Sequence, residues 1–93
     1  MIIGTCEIDL LIPESHSLKG KRFILKSLKD RIHHRFNVSI AEVDEHNLWQ
    51  RSRLGIAVVS TDAQHADQVL AEVVNFVERD GRVHILEYGV RMR

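Results

Sequence analysis

Two hydroxyls, one imidazole and three cations fall within eight residues, Ser15-His16-Ser17-Leu18-Lys19-Gly20-Lys21-Arg22. A serine beside a histidine invites a nucleophile–base reading. Neighbours in sequence do not make that pair, however, and no elbow or Gly-rich turn surrounds them. "SLKGKR" also lacks the glycines of a phosphate-cradling P-loop. Anion binding is the chemistry that fits better. A helix starting here would hold Lys19, Lys21 and Arg22 in its first turns, where the backbone dipole favours anions over cations. Free backbone N–H groups, a capping hydroxyl and clustered cations are the components of a phosphate site. Ser17, Lys19, Lys21 and Arg22 are therefore the candidate phosphate ligands, with Lys26 and Lys29, and beyond them Arg35, extending a positive track. The bland alternative is a solvated helix face screened by Glu14.

Other reactive side chains point to little chemistry. His16, His33, His34, His46, His65 and His84 include no i, i+4 pair, and Cys6 stands alone, so neither a metal centre nor a disulfide is expected. Cys6 falls on the apolar side of an alternating segment and reads as a small core residue. No cofactor motif and no catalytic residue stand out. The one tryptophan, Trp49, lies in "HNLWQR". It is expected either to pack over the end of its own domain or to contact a partner, with Gln50 and Arg51 beside it. Those two either serve recognition or pair with Asp44 and Glu45.

Charge distribution sharpens the anion reading. The 93 residues carry zero formal net charge, which excludes a globally basic nucleic-acid binder. Between Lys19 and Arg35, however, there are seven Lys or Arg against one acid, Asp30; the rest of the chain has six Arg and twelve acids. A one-sided basic segment is an electrostatic footprint that the total conceals. Apolar residues at 44% and charged residues at 28% are ordinary for one globular domain, residues 1–93. "MIIGTCEIDLLI" has acids and no basic leader, and no apolar run approaches the length of a bilayer span, so a cytoplasmic protein is expected.

The elements that must position these residues follow from periodicity. Residues 2–12 alternate as a strand ended by Pro13, with Thr5, Glu7 and Asp9 on its polar side. Ile24, Leu25, Leu28, Ile32 and Phe36 form a helical stripe from about Leu18, with Ser17 the expected N-cap, Ser15 the alternative, and Asn37 closing it. "VSIAEVDE" and "RLGIAVVST" read as strands joined by "HNLWQR". Asp62 caps a second helix, which Gly81 would stop. "RVHILEYGVRMR" is the last strand. "AEVDE" and "HILEYG" fit either register, leaving the directions of Glu42, Glu87 and Tyr88 open. The order β-α-β-β-α-β predicts an α+β ferredoxin-like sandwich, a four-stranded antiparallel sheet with two helices on one face. Its open face would show Thr5, Glu7, Asp9, Arg53, Gly55, Ala57 and Val59. RNA-recognition domains stack bases on aromatics there, and this face offers none.

The segments Ser17-Leu18-Lys19-x-Lys21-Arg22, Phe36-Asn37-Val38-Ser39 with Ala41-Glu42, and Leu48-Trp49-Gln50-Arg51 resemble the YlxP-like family of small bacterial proteins, a domain of unknown function. The resemblance covers nearly the whole chain. It implies a ferredoxin-like fold and a gene neighbourhood rich in translation-initiation and ribosome-maturation factors, and it supplies no catalytic residue. The expectation is thus a non-enzymatic protein that binds structured RNA or a ribosomal particle through its first helix. The alternative is a protein-interaction module or homodimer using the open sheet face and the Trp49 loop.

Overall fold

Alternation along the first strand sets the two faces of the molecule. In the computed structural model, which describes residues 1–93, β1 (Ile2–Leu11) buries Cys6, Ile8 and Leu10 and turns Thr5, Glu7 and Asp9 to the other side. β1 pairs antiparallel with β3 (Arg51–Ser60) along its whole length and with β4 (His84–Met92) on its other edge. β2 (Ser39–Asp44) pairs antiparallel with β3, giving the order β2-β3-β1-β4. Each connection through a helix therefore skips one strand, the arrangement of an α+β ferredoxin-like fold. At one corner Ile3 and Arg93 exchange both backbone hydrogen bonds, at 2.9 and 2.8 Å.

Two helices cover the apolar face. α1 (Leu18–Arg35) contributes Leu25, Leu28 and Ile32, and α2 (Ala63–Glu78) contributes Ala66, Leu70, Val73, Val74 and Val77 to a core shared with Leu54, Ile56 and Val58 of β3. Fully burying such a side chain contributes roughly 1.5–3 kcal/mol. Gly4 allows α2 to sit close: a Cβ there would lie 3.1 Å from Leu70 Cδ1 and 3.2 Å from Ala66 Cβ.

Helix ends follow local chemistry. Ser17 is the N-cap of α1, its Oγ accepting from the Gly20 N–H at 2.9 Å. α1 stops at Phe36, before Asn37, because Phe36 turns extended (φ −127°) and packs edge-on against Phe76, with centroids 5.8 Å apart. Asp62 caps α2 through a 3.0 Å bond from the Gln64 N–H. Gly81 does not stop α2, since no glycine adopts a left-handed φ. The buried Asp80 organises that end. Its backbone N–H donates to the Val77 carbonyl, and its carboxylate accepts from the Arg82 backbone N–H and the guanidinium groups of Arg82 and Arg31.

Register settles the ambiguous strands. Glu42 shares the helix side with Ile40 of β2, while Glu87 pairs with Asp9 on the open face and Tyr88 lies opposite Ile8. Each edge strand carries one irregularity, between Glu42 and Asp44 on β2 and opposite Asp9/Leu10 on β4.

Candidate nucleic-acid interface

The three cations at the start of α1 do not act together. Lys21 turns inward and is 1% exposed. Its ammonium donates to Glu42 Oε2 at 3.0 Å and to the backbone carbonyls of Glu45, His46 and Arg51 at 2.9, 3.2 and 3.2 Å. Three N–H groups meet four acceptors, so one donor is shared. Glu42 Oε2 also accepts from the buried Ser52 hydroxyl at 2.7 Å. A charge this deep persists only when paired and hydrogen-bonded, and here it is both. The expectation that Lys21 binds phosphate is corrected: its charge is committed to the β2–β3 connection.

That connection is shaped around the ammonium. Glu45 adopts φ 62°, a left-handed conformation costing roughly 1–2 kcal/mol for a residue with a Cβ. Its N–H is held by Asp44 Oδ1 at 2.8 Å, and its carbonyl accepts from both Lys21 and the Leu48 N–H. Gln50 ties the connection to the end of β1: its side chain donates to the Pro13 carbonyl at 2.9 Å, and its own carbonyl accepts from Ile12 at 2.8 Å. Arg51 approaches Glu45 Oε1 at 3.8 Å. Arg51 thus stands beside Glu45, whereas Gln50 pairs with neither Asp44 nor Glu45 but with the Ile12–Pro13 segment. Trp49 does not pack over the sheet end. It is 55% exposed and Leu48 48%, both in a connection otherwise held at many points.

Of the other helix cations, Lys29 is half-buried and the rest face water. Lys19, Arg22 and Lys29 have no carboxylate within 4 Å, whereas Lys26 pairs with Asp30 at 2.8 Å in an exposed i, i+4 contact. That contact holds the Asp30 carboxyl below its usual range. Ser17 is engaged as the cap, and the buried Ser15 donates its hydroxyl to the Ser17 carbonyl at 3.1 Å. No serine–histidine bond forms in the Ser15–Ser17 segment. Phe23, 72% exposed, projects from the solvent side of α1. Farther along, Arg31 binds Asp80 at 3.2 Å and lies 5.1 Å over the Phe76 ring, with Arg35 5.6 Å over the same ring.

The open sheet face forms a depression of about 690 Å³. Ala41, Gly55, Ala57 and Gly89 give it a low floor, and Val43 leans over Gly55, where a Cβ would meet Val43 Cγ1 at 2.7 Å. Arg53 clamps Asp9 at 2.6 and 3.3 Å and reaches toward Asp44 at 3.8 Å. This guanidinium holds the Asp9 carboxyl below its usual range. Neither β1 nor β3 places an aromatic on this face. Burial, with Glu7 beside it, pushes the Cys6 thiol up to about 11. No three His, Cys, Asp or Glu side chains converge as a metal site. No helix is long and apolar enough to cross a membrane.

The Lys21–Glu42 clamp was missed on sequence, although a signal existed. Lys21, Leu25, Leu28 and Ile32 are spaced four, three and four, so Lys21 occupies the next position of the buried stripe. Counting it among the cations ignored that phase.

Comparison with known proteins places the whole domain in one group. Residues 3–90 match DUF503, described as a protein of unknown function. An uncharacterized protein YlxP of Bacillus subtilis (strain 168) is 38% identical over 77 residues, covering 83% of this chain and 84% of that protein.

Proposed function

We propose that this chain, which belongs to the DUF503 family of proteins of unknown function, is a non-enzymatic cytoplasmic protein that binds structured RNA, free or within a ribosomal particle, through the outer side of α1. One observation carries the reading. After the internal pairs are made, the exposed Lys19 and Arg22 and the half-buried Lys29 remain without carboxylate partners on a single helix. Lys26 lies between them in sequence, satisfied only by an exposed contact that a phosphate would outcompete. The positions 19, 22, 26 and 29 follow helical spacing over about 15 Å. RNA is favoured as the polyanion by the translation-linked setting that the family resemblance implies. Such contacts neutralise phosphates without reading bases, so affinity is strongly salt-dependent and weakly sequence-dependent.

The test is binding of ribosomal RNA fragments across a salt series, comparing the native chain with a Lys19→Glu, Arg22→Glu, Lys29→Glu variant. Lys21 is left intact because its side chain supports the fold. Three or four phosphate contacts give a log–log slope of roughly −2 to −4, and the variant should lose both affinity and slope. Absence of binding at low salt refutes the reading. It would return α1 to a solvated face and leave the open sheet, and with it a protein partner or second copy, as the docking candidate.

A further inference from the structure

We infer that Trp49 is a stacking platform for an unpaired RNA base, placed beside the cationic helix so that one strand engages both; this rests on the RNA reading above. The indole is the largest side chain in the molecule, and more than half of it faces water. Its neighbour Leu48 is nearly as exposed. Single exposed apolar residues are normal, so exposure alone decides nothing. The mounting decides more. Residues 45–51 are held by three carbonyl bonds from the buried Lys21 ammonium, by reciprocal ties between Gln50 and the Ile12–Pro13 segment, and by a left-handed Glu45. Backbone strain of that kind is retained where the surroundings over-determine it, as they do in recognition loops. The connection spends a buried cation and strained backbone to hold a tip whose apolar side chains touch water.

Location supplies the ligand chemistry. Lys21 belongs to the first turn of α1, so its bonds fix the Trp49 connection against the same helix start that exposes Lys19 and Arg22. An aromatic ring near cations is the recurring arrangement for single-stranded nucleic acid: the cations hold the backbone, and the ring stacks on whichever base is free. The acids at this end are largely engaged: Glu42 by Lys21, Glu45 by Arg51, and Asp44 by Arg53 and the Glu45 N–H. Glu14 and Asp44 are the exposed ones, Asp44 meeting Arg53 only at 3.8 Å. The sheet face, the stacking surface of RNA-recognition domains, is occupied here by the Asp9–Arg53 pair and small residues. Stacking at this end therefore falls to Trp49, with Phe23 exposed on the second turn of α1.

Trp49 is the one tryptophan, so its own emission reports on the base. A 12-nucleotide single-stranded RNA and a blunt RNA duplex of the same length would each be titrated into the full chain. Trp49 fluorescence would be read in parallel with the anisotropy of an end-labelled strand. The single strand should quench Trp49 strongly and the duplex weakly. Trp49→Ala should lower single-strand affinity about 5- to 100-fold with the salt slope unchanged, and Trp49→Phe should retain most of the affinity. Circular dichroism and urea melts check that both variants fold, as an exposed side chain should allow. Salt-dependent binding with unchanged emission, and equal affinity for Trp49→Ala, would overturn stacking and leave the cation reading standing. Equal quenching by the duplex would overturn the requirement for an unpaired base. Failure of both RNAs to bind at low salt would overturn both proposals.

Discussion

Replacing Lys21 by Met keeps the length and apolar stem of the side chain and deletes only the ammonium. Four oxygens lose a donor: Glu42 Oε2 and the carbonyls of Glu45, His46 and Arg51. Glu42, 14% exposed, would retain its charge with only the Ser52 hydroxyl for support. Breaking a buried pair by removing one partner costs about 3–5 kcal/mol, because the remaining charge is left uncompensated. A domain of this size has on the order of 5–15 kcal/mol in total. At about 4–8 °C per kcal/mol, Tm should fall by roughly 12–40 °C. Glu42→Gln retains an acceptor oxygen and should cost about 1–3 kcal/mol. The double variant should cost less than the sum of the two, with a coupling of about 1–3 kcal/mol. Urea denaturation followed by far-UV circular dichroism measures all four proteins. A Lys21→Met loss below about 1 kcal/mol at constant m-value would refute the clamp, and so would additivity of the two single changes.

Two further expectations concern titratable groups. The guanidinium of Arg82, together with the backbone N–H of the same residue and Arg31, holds the Asp80 carboxyl below the usual aspartate range. A carboxyl bound more weakly by protons in the folded state than in the unfolded state stabilises the fold above the ordinary aspartate value of about 3.9, and loses that contribution as pH falls through its depressed folded value. Asp80→Asn should thus lower stability by about 1–3 kcal/mol at pH 7 and flatten the acid limb of the stability–pH curve below about pH 4; an unchanged acid limb by urea melts would contradict it. Cys6, with its thiol pushed up to about 11, should at pH 8 react with a maleimide or disulfide reagent roughly 100-fold more slowly in the folded chain than in urea. Equal rates would show that the β1 interior is open to solvent.

Much of the fold was legible because local and long-range preferences agree. Cys6, Ile8 and Leu10 alternate with acids that reach the open face, and Ser17 and Asp62 cap their helices as their side chains dictate. Gly81 misled because a glycine after a helix is a common stop, whereas here the stop comes from long-range ligands to Asp80, including Arg31 on a different helix. Lys21 misled for a related reason. Counting charges treats every lysine as solvated, yet its partners lie 21 to 30 residues downstream, on a connection whose shape no short window contains. Residue type alone leaves Trp49 open between packing on its own domain and contacting a partner. Its exposure depends on how tightly Lys21, Gln50 and Glu45 hold the connection outward, which only the folded chain displays.

The double backbone bond between Ile3 and Arg93 has a practical geometric outcome. β1 runs from that corner to Leu11, which pairs with Arg51 beside the Trp49 connection. Ten residues of strand, about 33 Å, separate the two locations. A purification tag, a fluorescent fusion or an immobilising tether attached at either terminus therefore leaves from the end remote from Trp49 and Lys19. A direct peptide link between the same termini is geometrically natural.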